Sequence, residues 1–303
     1  MSTRKRSLVI VTCLKDKYKL EMLCRSIFAF LEPCDIIIIY NESSEKYTEW
    51  LKWFNLLKEK ILKKFSVRTY SGPDLIGIDN FTYCKDDGWV RQQALKLLAH
   101  SLVNTLEFVT MDSKNFFMVP CSLDDIQYSI PHNHWRRPRL EKYVEHCCKL
   151  LDYPYGGEDM RLRPNITPYI IKTRFCKRLV KKWKNNIDFY RFIVDTAMIP
   201  ELAPAEFLLY EIFELKSRVR DDPSQDQIEH PKVNYCTIWF HTLKHSNDPK
   251  GLAEIVAKKR NDGILVSGIH KKVDDFLTLE DVEIFLKHLG IDFILPQTVS
   301  SPF

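Results

Sequence analysis

Hydrophobic and polar positions alternate in blocks along the first 120 residues of the chain. Short, largely apolar runs predict buried strands at residues 7–12, 35–40 and 106–111, and the segment SVRTY predicts a shorter strand at residues 66–70. Apolar residues at helical spacing predict helices between these strands, at residues 17–31, 43–65 and 86–102. This alternation predicts a twisted, mainly parallel sheet with helices on both faces.

The second half of the chain has a less regular pattern. It predicts a loop and then a helix within residues 130–151, helices at residues 170–183, 204–217 and 278–290, and strands at residues 234–241 and 264–270. Neither a repeat nor a Ser/Gly-rich linker divides the sequence. We therefore expect one compact domain over residues 1–303.

Composition and charge exclude several classes of protein. The 45 basic and 40 acidic residues leave a net charge of +5, which is too small to indicate a nucleic-acid partner. The chain has only nine glycines and lacks the glycine patterns of a dinucleotide-binding fold, a P-loop and a hydrolase nucleophile elbow. Its nine cysteines form no CxxC pair, which disfavours structural zinc and predicts free thiols in a reducing compartment. No apolar run approaches the roughly 20 residues of a membrane span, so we expect a cytoplasmic protein.

The segment LEFVTMDSKNFF carries the most informative polar residue. Asp112 ends a predicted buried strand, and the carboxyl ends of parallel strands are where α/β proteins bind ligands. A carboxylate there commonly holds a divalent metal ion against a diphosphate, although a turn or a helix cap would use the same residue. In the preceding helix, Arg91, Gln92 and Lys96 are polar within an apolar pattern, and they suit either phosphates or solvent.

Seven segments carry a family resemblance: VTCLKD, IIIIYNE, DDGWVRQQALKL, VTMDSKNFF, PNITPYI, PAEFLLYEIF and SGIH. Together they resemble a family of glycosyltransferase-like proteins of bacteria and large viruses, assigned to the type A glycosyltransferase fold. The resemblance extends over most of residues 7–290 and implies an α/β sandwich of the nucleotide-diphospho-sugar transferase type. It also implies transfer of a sugar from a nucleotide-diphosphate donor to a hydroxyl of a glycan or lipid-linked acceptor. Residues 1–120 would then bind the nucleotide sugar, and residues 121–303 would bind the acceptor and close the fold.

The metal motif of the family is altered in this chain. Type A enzymes hold Mn²⁺ or Mg²⁺ with an Asp-x-Asp motif, in which Asp112 takes the first position here and Lys114 replaces the second. We expect Asp112 and His270, which both follow predicted buried strands, to hold the cation or its phosphate partner, with Asn115 as a third contact. The alternatives are that Lys114 neutralises phosphate charge directly and that His270 is a structural residue.

Residues at the strand ends and on the following helix are expected to form the nucleotide-sugar site. The resemblance and the strand-end positions assign seven residues to it: Thr12, Asn41, Arg91, Gln92, Lys96, Asp112 and Asn115. Arginine and lysine side chains suit the diphosphate of the donor.

A general base is expected on the acceptor side of this site. Glu206 lies in the first turn of an apolar helix, where it would deprotonate the acceptor hydroxyl. The alternative is an acidic residue placed there by the helix dipole. If Glu206 is not the base, the remaining candidates are Asp124, Asp125, Glu158 and Asp159.

Residues 172–184 hold seven basic side chains, and Phe175, Leu179 and Trp183 fall on one helical face. This pattern predicts peripheral contact with the inner face of an anionic membrane that carries a lipid-linked acceptor. The alternative is a solvated helix that packs by its apolar stripe. Two other functions also stay open: a non-catalytic nucleotide-sugar-binding protein, and a sugar nucleotidyltransferase, which the lack of a glycine-rich loop after the first strand disfavours.

Overall fold

A computed structural model describes most of the chain. The described residues are 6–79, 88–127, 138–156, 160, 162–163, 166–197, 206–221, 235–238, 249–269, 280, 283, 286–287 and 289–291. The strands are β1 (Arg6–Thr12), β2 (Asp35–Tyr40), β3 (Ser66–Ser71), β4 (Glu107–Asp112), β5 (Asn115–Phe117), β6 (Tyr169–Lys172), β7 (Tyr235–Ile238) and β8 (Val266–Ile269). The helices are α1 (Lys17–Phe30), α2 (Ser44–Ile61), α3 (Gly72–Ile76), α4 (Gly88–Leu98), α5 (Pro138–Leu150), α6 (Thr173–Val180), α7 (Asn186–Ala197), α8 (Glu206–Asp221) and α9 (Pro249–Asn261).

Five strands form the central sheet in the order β3-β2-β1-β4-β6. The first four are parallel, and β6 runs antiparallel to β4 at one edge. The predicted α/β fold with a mainly parallel central sheet is therefore confirmed. The predicted strands near residues 7–12, 35–40, 66–70 and 106–111 all belong to this sheet, as expected from the alternation of strands and helices along the sequence.

Two helical layers cover the central sheet, one on each face. Leu8 and Ile10 of β1 share a core with α1 and α2, whereas Val9 and Val11 share a core with residues of α4 to α8. Val11 is the register partner of Asp112 in β4. Because register partners in adjacent strands face the same side, Asp112 lies on the side of α4.

The strand order places a topological switch point between β1 and β4. The chain builds outward from β1 to β2 and β3, and then returns to add β4 on the other side of β1. The helices that follow strands on opposite sides of such a point diverge, which leaves a crevice at the carboxyl ends of the strands. Thr12 and Asp112 end β1 and β4 at this same edge, in agreement with the sequence prediction.

A second sheet of three strands lies beside the central one, in the order β5-β8-β7. β5 pairs antiparallel with β8, and β8 pairs parallel with β7. The predicted strands at residues 234–241 and 264–270 correspond to β7 and β8. Since β5 follows β4 after a two-residue turn, this sheet continues from the strand that ends in Asp112.

The helix predicted at residues 170–183 is wrong at its beginning. Residues Tyr169–Lys172 form β6, and α6 starts only at Thr173. Tyr169, Ile170 and Ile171 are buried beside β4, where they complete the sheet, and this tertiary pairing overrides the helical spacing of the apolar residues. Helices α3, α7 and α9 were not predicted, and most of the helix predicted at residues 278–290 lies outside the described residues.

Within the described part of the chain, no helix is long and apolar enough to span a membrane. Seven of the described cysteines are buried free thiols: Cys13, Cys24, Cys34, Cys121, Cys147, Cys148 and Cys176. They behave as small apolar residues of the core.

Candidate functional site

The carboxylate of Asp112 is surrounded by hydrogen-bond donors at the end of β4. Its Oδ1 accepts from Lys96 Nζ at 2.8 Å and from Gln92 Nε2 at 2.9 Å. Its Oδ2 accepts from Thr167 Oγ1 at 3.0 Å and lies 3.2 Å from Lys114 Nζ. An ionised carboxylate offers about four acceptor positions, so these four donors occupy it fully.

Lys96 lies inside the protein between two carboxylates. Its Nζ is 2.8 Å from Asp112 Oδ1 and 3.0 Å from Glu206 Oε1. Burial alone would lower the pKa of Lys96, but the attraction of Asp112 and Glu206 outweighs it and raises that pKa above its ordinary value. Burial likewise works against the charged form of Asp112, yet Lys96 and Lys114 hold its pKa well below the ordinary range. Lys96 and Asp112 are therefore both charged at neutral pH.

Glu206 is the first residue of α8 and faces into the protein. Its backbone N–H donates to Gln93 Oε1 at 2.9 Å, and its side chain is only 4% exposed. Lys96 thus contacts both Glu206 and Asp112, so the two carboxylates lie in one cluster. Whether Glu206 is a base stays a prediction, because a base must come within hydrogen-bonding distance of the acceptor hydroxyl.

The alternative bases lie elsewhere or outside the described residues. Arg6, at the start of β1, lies 3.8 Å from Asp124 Oδ1 and donates to the carbonyl of Leu123 at 2.9 Å. Asp125 accepts from the backbone and hydroxyl of Ser122 in a capping box. These residues therefore lie at the amino end of β1, at the opposite edge of the sheet from Asp112. Glu158 and Asp159 lie outside the described residues.

Asn115 supports the backbone beneath Asp112. It is fully buried, its Oδ1 accepts from the backbone N–H of Asp112 at 2.8 Å, and its Nδ2 donates to the carbonyl of Thr167 at 3.4 Å. Gly268 of β8 packs against this amide, since a Cβ at that position would lie 2.6 Å from Asn115 Nδ2. The glycine of the SGIH segment therefore leaves room for the side chain that fixes the end of β4.

In this arrangement, the side-chain oxygens of the described residues are not available as ligands for a divalent cation. The oxygens of Asp112 and the Oδ1 of Asn115 already accept hydrogen bonds from protein groups. Among the residues that the structure describes, no group of three or more His, Cys, Asp and Glu side chains is placed to hold a metal ion. His270, the other predicted ligand, lies outside the described residues.

The remaining predicted nucleotide-binding residues lie beside this cluster at the same edge. The carbonyl of Thr12 accepts from the backbone of Asn41 at 2.7 Å, and Asn41 Nδ2 donates to the carbonyl of Gly88 at 2.7 Å. Arg91 Nε donates to Asn41 Oδ1 at 3.3 Å, so Arg91 is drawn toward the ends of the strands. Strand alternation places the side chain of Thr12 on the α1 side of the sheet, away from Asp112. Its Oγ1 is buried and makes no hydrogen bond to a described residue.

Thr167 is a site residue that the sequence analysis missed. In the antiparallel pair of β4 and β6, Thr110 lies opposite Tyr169. Continuing this register by two residues brings Thr167 opposite Asp112, in accord with the hydrogen bond between them. The apolar run YIIK after Pro168 was the available signal, because recognising it as a strand would have placed Thr167 at the site.

A second buried cluster holds α8 against β6. Arg163 contacts Glu211 and lies 2.7 Å from Glu214 Oε2, and the hydroxyl of Tyr169 donates to Glu211 at 2.7 Å. Burial raises the pKa of Glu214, but Arg163 and two further cations reverse this and lower it to about 2. Because Glu206 begins the same helix, this cluster fixes the element that carries Glu206 to Lys96.

Helix α6 presents an apolar stripe to the core and basic residues to solvent. Phe175 and Leu179 are buried, whereas Lys177, Lys181 and Lys182 are exposed. A cavity of about 290 Å³ separates α6 from α8, lined by Arg178, Lys181, Lys182, Phe213, Lys216 and Ser217. Because β6 runs antiparallel to β4, α6 begins near the amino end of β4, opposite the Asp112 cluster.

Membrane contact through this basic face stays a prediction with a direct test. We expect the wild type to sediment with vesicles of phosphatidylcholine and phosphatidylserine but not with phosphatidylcholine alone. Changing Lys177, Lys181 and Lys182 together to glutamine should weaken that partitioning by about a hundredfold, since each basic residue near an anionic surface contributes roughly 1 kcal/mol. Equal sedimentation of the variant and the wild type would contradict the prediction.

Comparisons with known proteins give matches among solved structures and one family model. No curated protein matches the chain. Among solved structures, the chain is similar to the apo structure of the bifunctional glycosyltransferase WbbM, with 12% identity and a TM-score of 0.49. The match covers 95% of this chain and 50% of that one, so the chain spans half the length of that protein. Residues 3–279 match a family of unknown function, DUF6492, and the chain therefore belongs to that family.

Proposed function

We propose that the chain is a glycosyltransferase that moves a sugar from a nucleotide-diphosphate donor to a hydroxyl of a glycan or lipid-linked acceptor. The donor diphosphate would bind at the carboxyl ends of β1 and β4, in the crevice of the topological switch point. The acceptor would enter from the side of α8, where Glu206 begins that helix.

One observation carries this proposal: segments far apart in the sequence converge on a single carboxylate. Asp112 is contacted by Gln92 and Lys96 of α4, by Lys114 after β4 and by Thr167 before β6. These residues lie in three of the seven segments that carry the resemblance to glycosyltransferase-like proteins. Lys96 also reaches Glu206 of α8, 110 residues further along the chain. A buried cluster of charges at a ligand-binding edge supports a functional site more than a purely structural one.

The chemistry of sugar transfer matches the charges at this edge. As the bond from the sugar to the diphosphate breaks, negative charge builds on the departing nucleotide. Lys114, whose side chain is 31% exposed, and Arg91 beside Asn41 lie where they would stabilise that charge. A carboxylate near the acceptor would take the hydroxyl proton, and Glu206 is the proposed group.

The segment after β1 distinguishes this proposal from a sugar nucleotidyltransferase. A nucleotidyltransferase of this kind needs a glycine-rich loop there to surround the phosphates. In this chain β1 is followed by Cys13 and a short helical turn, Leu14–Asp16, that contains no glycine. Only an assay distinguishes the proposed glycosyltransferase from a non-catalytic nucleotide-sugar-binding protein, because the latter would bind the donor without transferring the sugar.

The proposed function is tested with a panel of nucleotide sugars. We expect one donor to bind, measured by calorimetry, and to lose its sugar to an added acceptor or, slowly, to water, measured by release of the nucleoside diphosphate. Binding without release would favour the non-catalytic alternative. Release of pyrophosphate on incubation with a sugar phosphate and a nucleoside triphosphate would indicate a nucleotidyltransferase.

Arg91→Ala is expected to weaken donor binding by about tenfold or more, because it removes a charge-assisted contact to the diphosphate. The thermal unfolding midpoint should stay close to that of the wild type, since Arg91 is only partly buried. Arg174→Ala is the matched control, because Arg174 is exposed on α6 near the other edge of the sheet. Equal donor affinity of Arg91→Ala and the wild type would contradict the placement of the diphosphate.

A further inference from the structure

The position at which type A enzymes carry their second metal-binding aspartate is occupied here by Lys114. Its Nζ lies 3.2 Å from Asp112 Oδ2, the longest of the four contacts to that carboxylate. Lys114 is also the most exposed of the charged side chains in the cluster, at 31%. Of the two lysines that contact Asp112, Lys114 is therefore the one that a ligand can reach from solvent, whereas Lys96 is buried.

Asp112 stays satisfied if Lys114 turns toward a ligand. Lys96 and Gln92 continue to hold Oδ1, and Thr167 continues to hold Oδ2. The ammonium can thus exchange its contact with Asp112 for a phosphate oxygen without leaving a buried charge unpaired. The cost of moving it is limited, because the Lys114 side chain is partly exposed and its ammonium can stay in contact with water.

A divalent cation at the same oxygens would meet the opposite situation. To bind both oxygens it would have to displace Lys96 from Asp112 Oδ1, and Lys96 is buried with a side chain only 5% exposed. The displaced ammonium would stay buried with Glu206 as its remaining carboxylate, and the cation would lie next to it and repel it. To bind Oδ2 alone the cation would replace Lys114, and no group of three or more His, Cys, Asp and Glu side chains among the described residues would complete its ligands. Asn115 offers no replacement oxygen, since its Oδ1 fixes the backbone of Asp112.

We propose that the positive charge facing the donor diphosphate is supplied by the ammonium group of Lys114, which Asp112 orients together with the buried Lys96, so that donor binding needs no divalent cation. This inference rests on the proposed function and specifies how that site binds its donor. Asp112 then acts as a positioning residue for two lysines, and a bound Mn²⁺ or Mg²⁺ remains the competing prediction.

The test is calorimetric titration of the full chain with UDP, GDP, ADP, CDP and TDP, in EDTA and separately in Mn²⁺. The wild type should bind one of these diphosphates with an affinity that differs by less than about twofold between the two conditions. Lys114→Gln should weaken that binding by about tenfold or more, whereas Lys114→Arg should keep most of it, because it keeps the charge. Lys63→Gln removes the same charge from the exposed turn between α2 and β3, at the other edge of the sheet, and should bind like the wild type.

The possible results distinguish a failure of the inference about Lys114 from a failure of the proposed function. Binding in Mn²⁺ that disappears in EDTA would overturn the inference and leave the proposed function standing. Unchanged binding by Lys114→Gln, with a wild-type thermal unfolding midpoint, would overturn the role of Lys114. No binding of any diphosphate in either condition would overturn the proposed function, and the inference with it.

Discussion

Arg163→Met is expected to lower the free energy of unfolding by about 3–5 kcal/mol, the cost of removing one partner from a buried ion pair. Arg163 is 7% exposed and contacts Glu211 and Glu214, whose side chains are equally or more deeply buried. Without the guanidinium, Glu211 keeps the hydroxyl of Tyr169 but no cation that contacts it in this cluster. Chemical denaturation, followed by circular dichroism, measures the loss.

Two further variants identify the cause of that loss. Arg218→Met removes a cation that lies 2.6 Å from Glu214 but is more exposed, so it should cost about 1 kcal/mol or less. Adding Glu211→Gln to Arg163→Met should recover part of the lost stability, because it removes the unpaired charge. If the loss of unfolding free energy in the double variant equals the sum of the losses in the two single variants, Arg163 and Glu211 are not energetically coupled.

Asp112→Asn is expected to reduce sugar transfer by at least about a hundredfold, or roughly 3 kcal/mol of transition-state stabilisation. The asparagine keeps the size of the side chain but loses the charge that orients Lys96 and Lys114. Donor affinity should fall as well, because both lysines lose their common anchor. Wild-type transfer by Asp112→Asn would show that this carboxylate has no part in the chemistry.

Glu206→Gln is the paired variant that separates the base from the donor site. Donor binding should stay at the wild-type level, while transfer falls by roughly a hundredfold or more, as expected for loss of a general base. If transfer proceeds at the wild-type rate, Glu206 is only the acidic first residue of α8. The base would then be sought at Glu158 and Asp159, since Asp124 and Asp125 lie at the other edge of the sheet.

The sequence allowed the sheet edge to be predicted because the information there is local. β1, β2 and β4 coincide with largely apolar runs, and the polar residues Thr12, Asn41 and Asp112 mark where these three runs end. Parallel strands joined by helices place such ends together, whatever the side-chain details are. For that reason the shared edge of Thr12 and Asp112 could be predicted without any knowledge of contacts.

The partners within the site could not be predicted in the same way. Lys96 and Glu206 meet across 110 residues, and Arg163 meets Glu211 across 48, so only the folded chain brings them together. The strand β6 is four residues long and continues into a helix, which made its apolar residues look helical. Missing β6 also hid Thr167, whose place opposite Asp112 depends on the register of that strand.

A crystal structure of the chain with its best-binding nucleoside diphosphate would locate the donor site. We expect the diphosphate at the carboxyl ends of β1 and β4, with phosphate oxygens within hydrogen-bonding distance of Lys114 Nζ and the guanidinium of Arg91. A diphosphate bound instead in the basic cavity between α6 and α8, beside Lys181 and Lys182, would contradict this expectation.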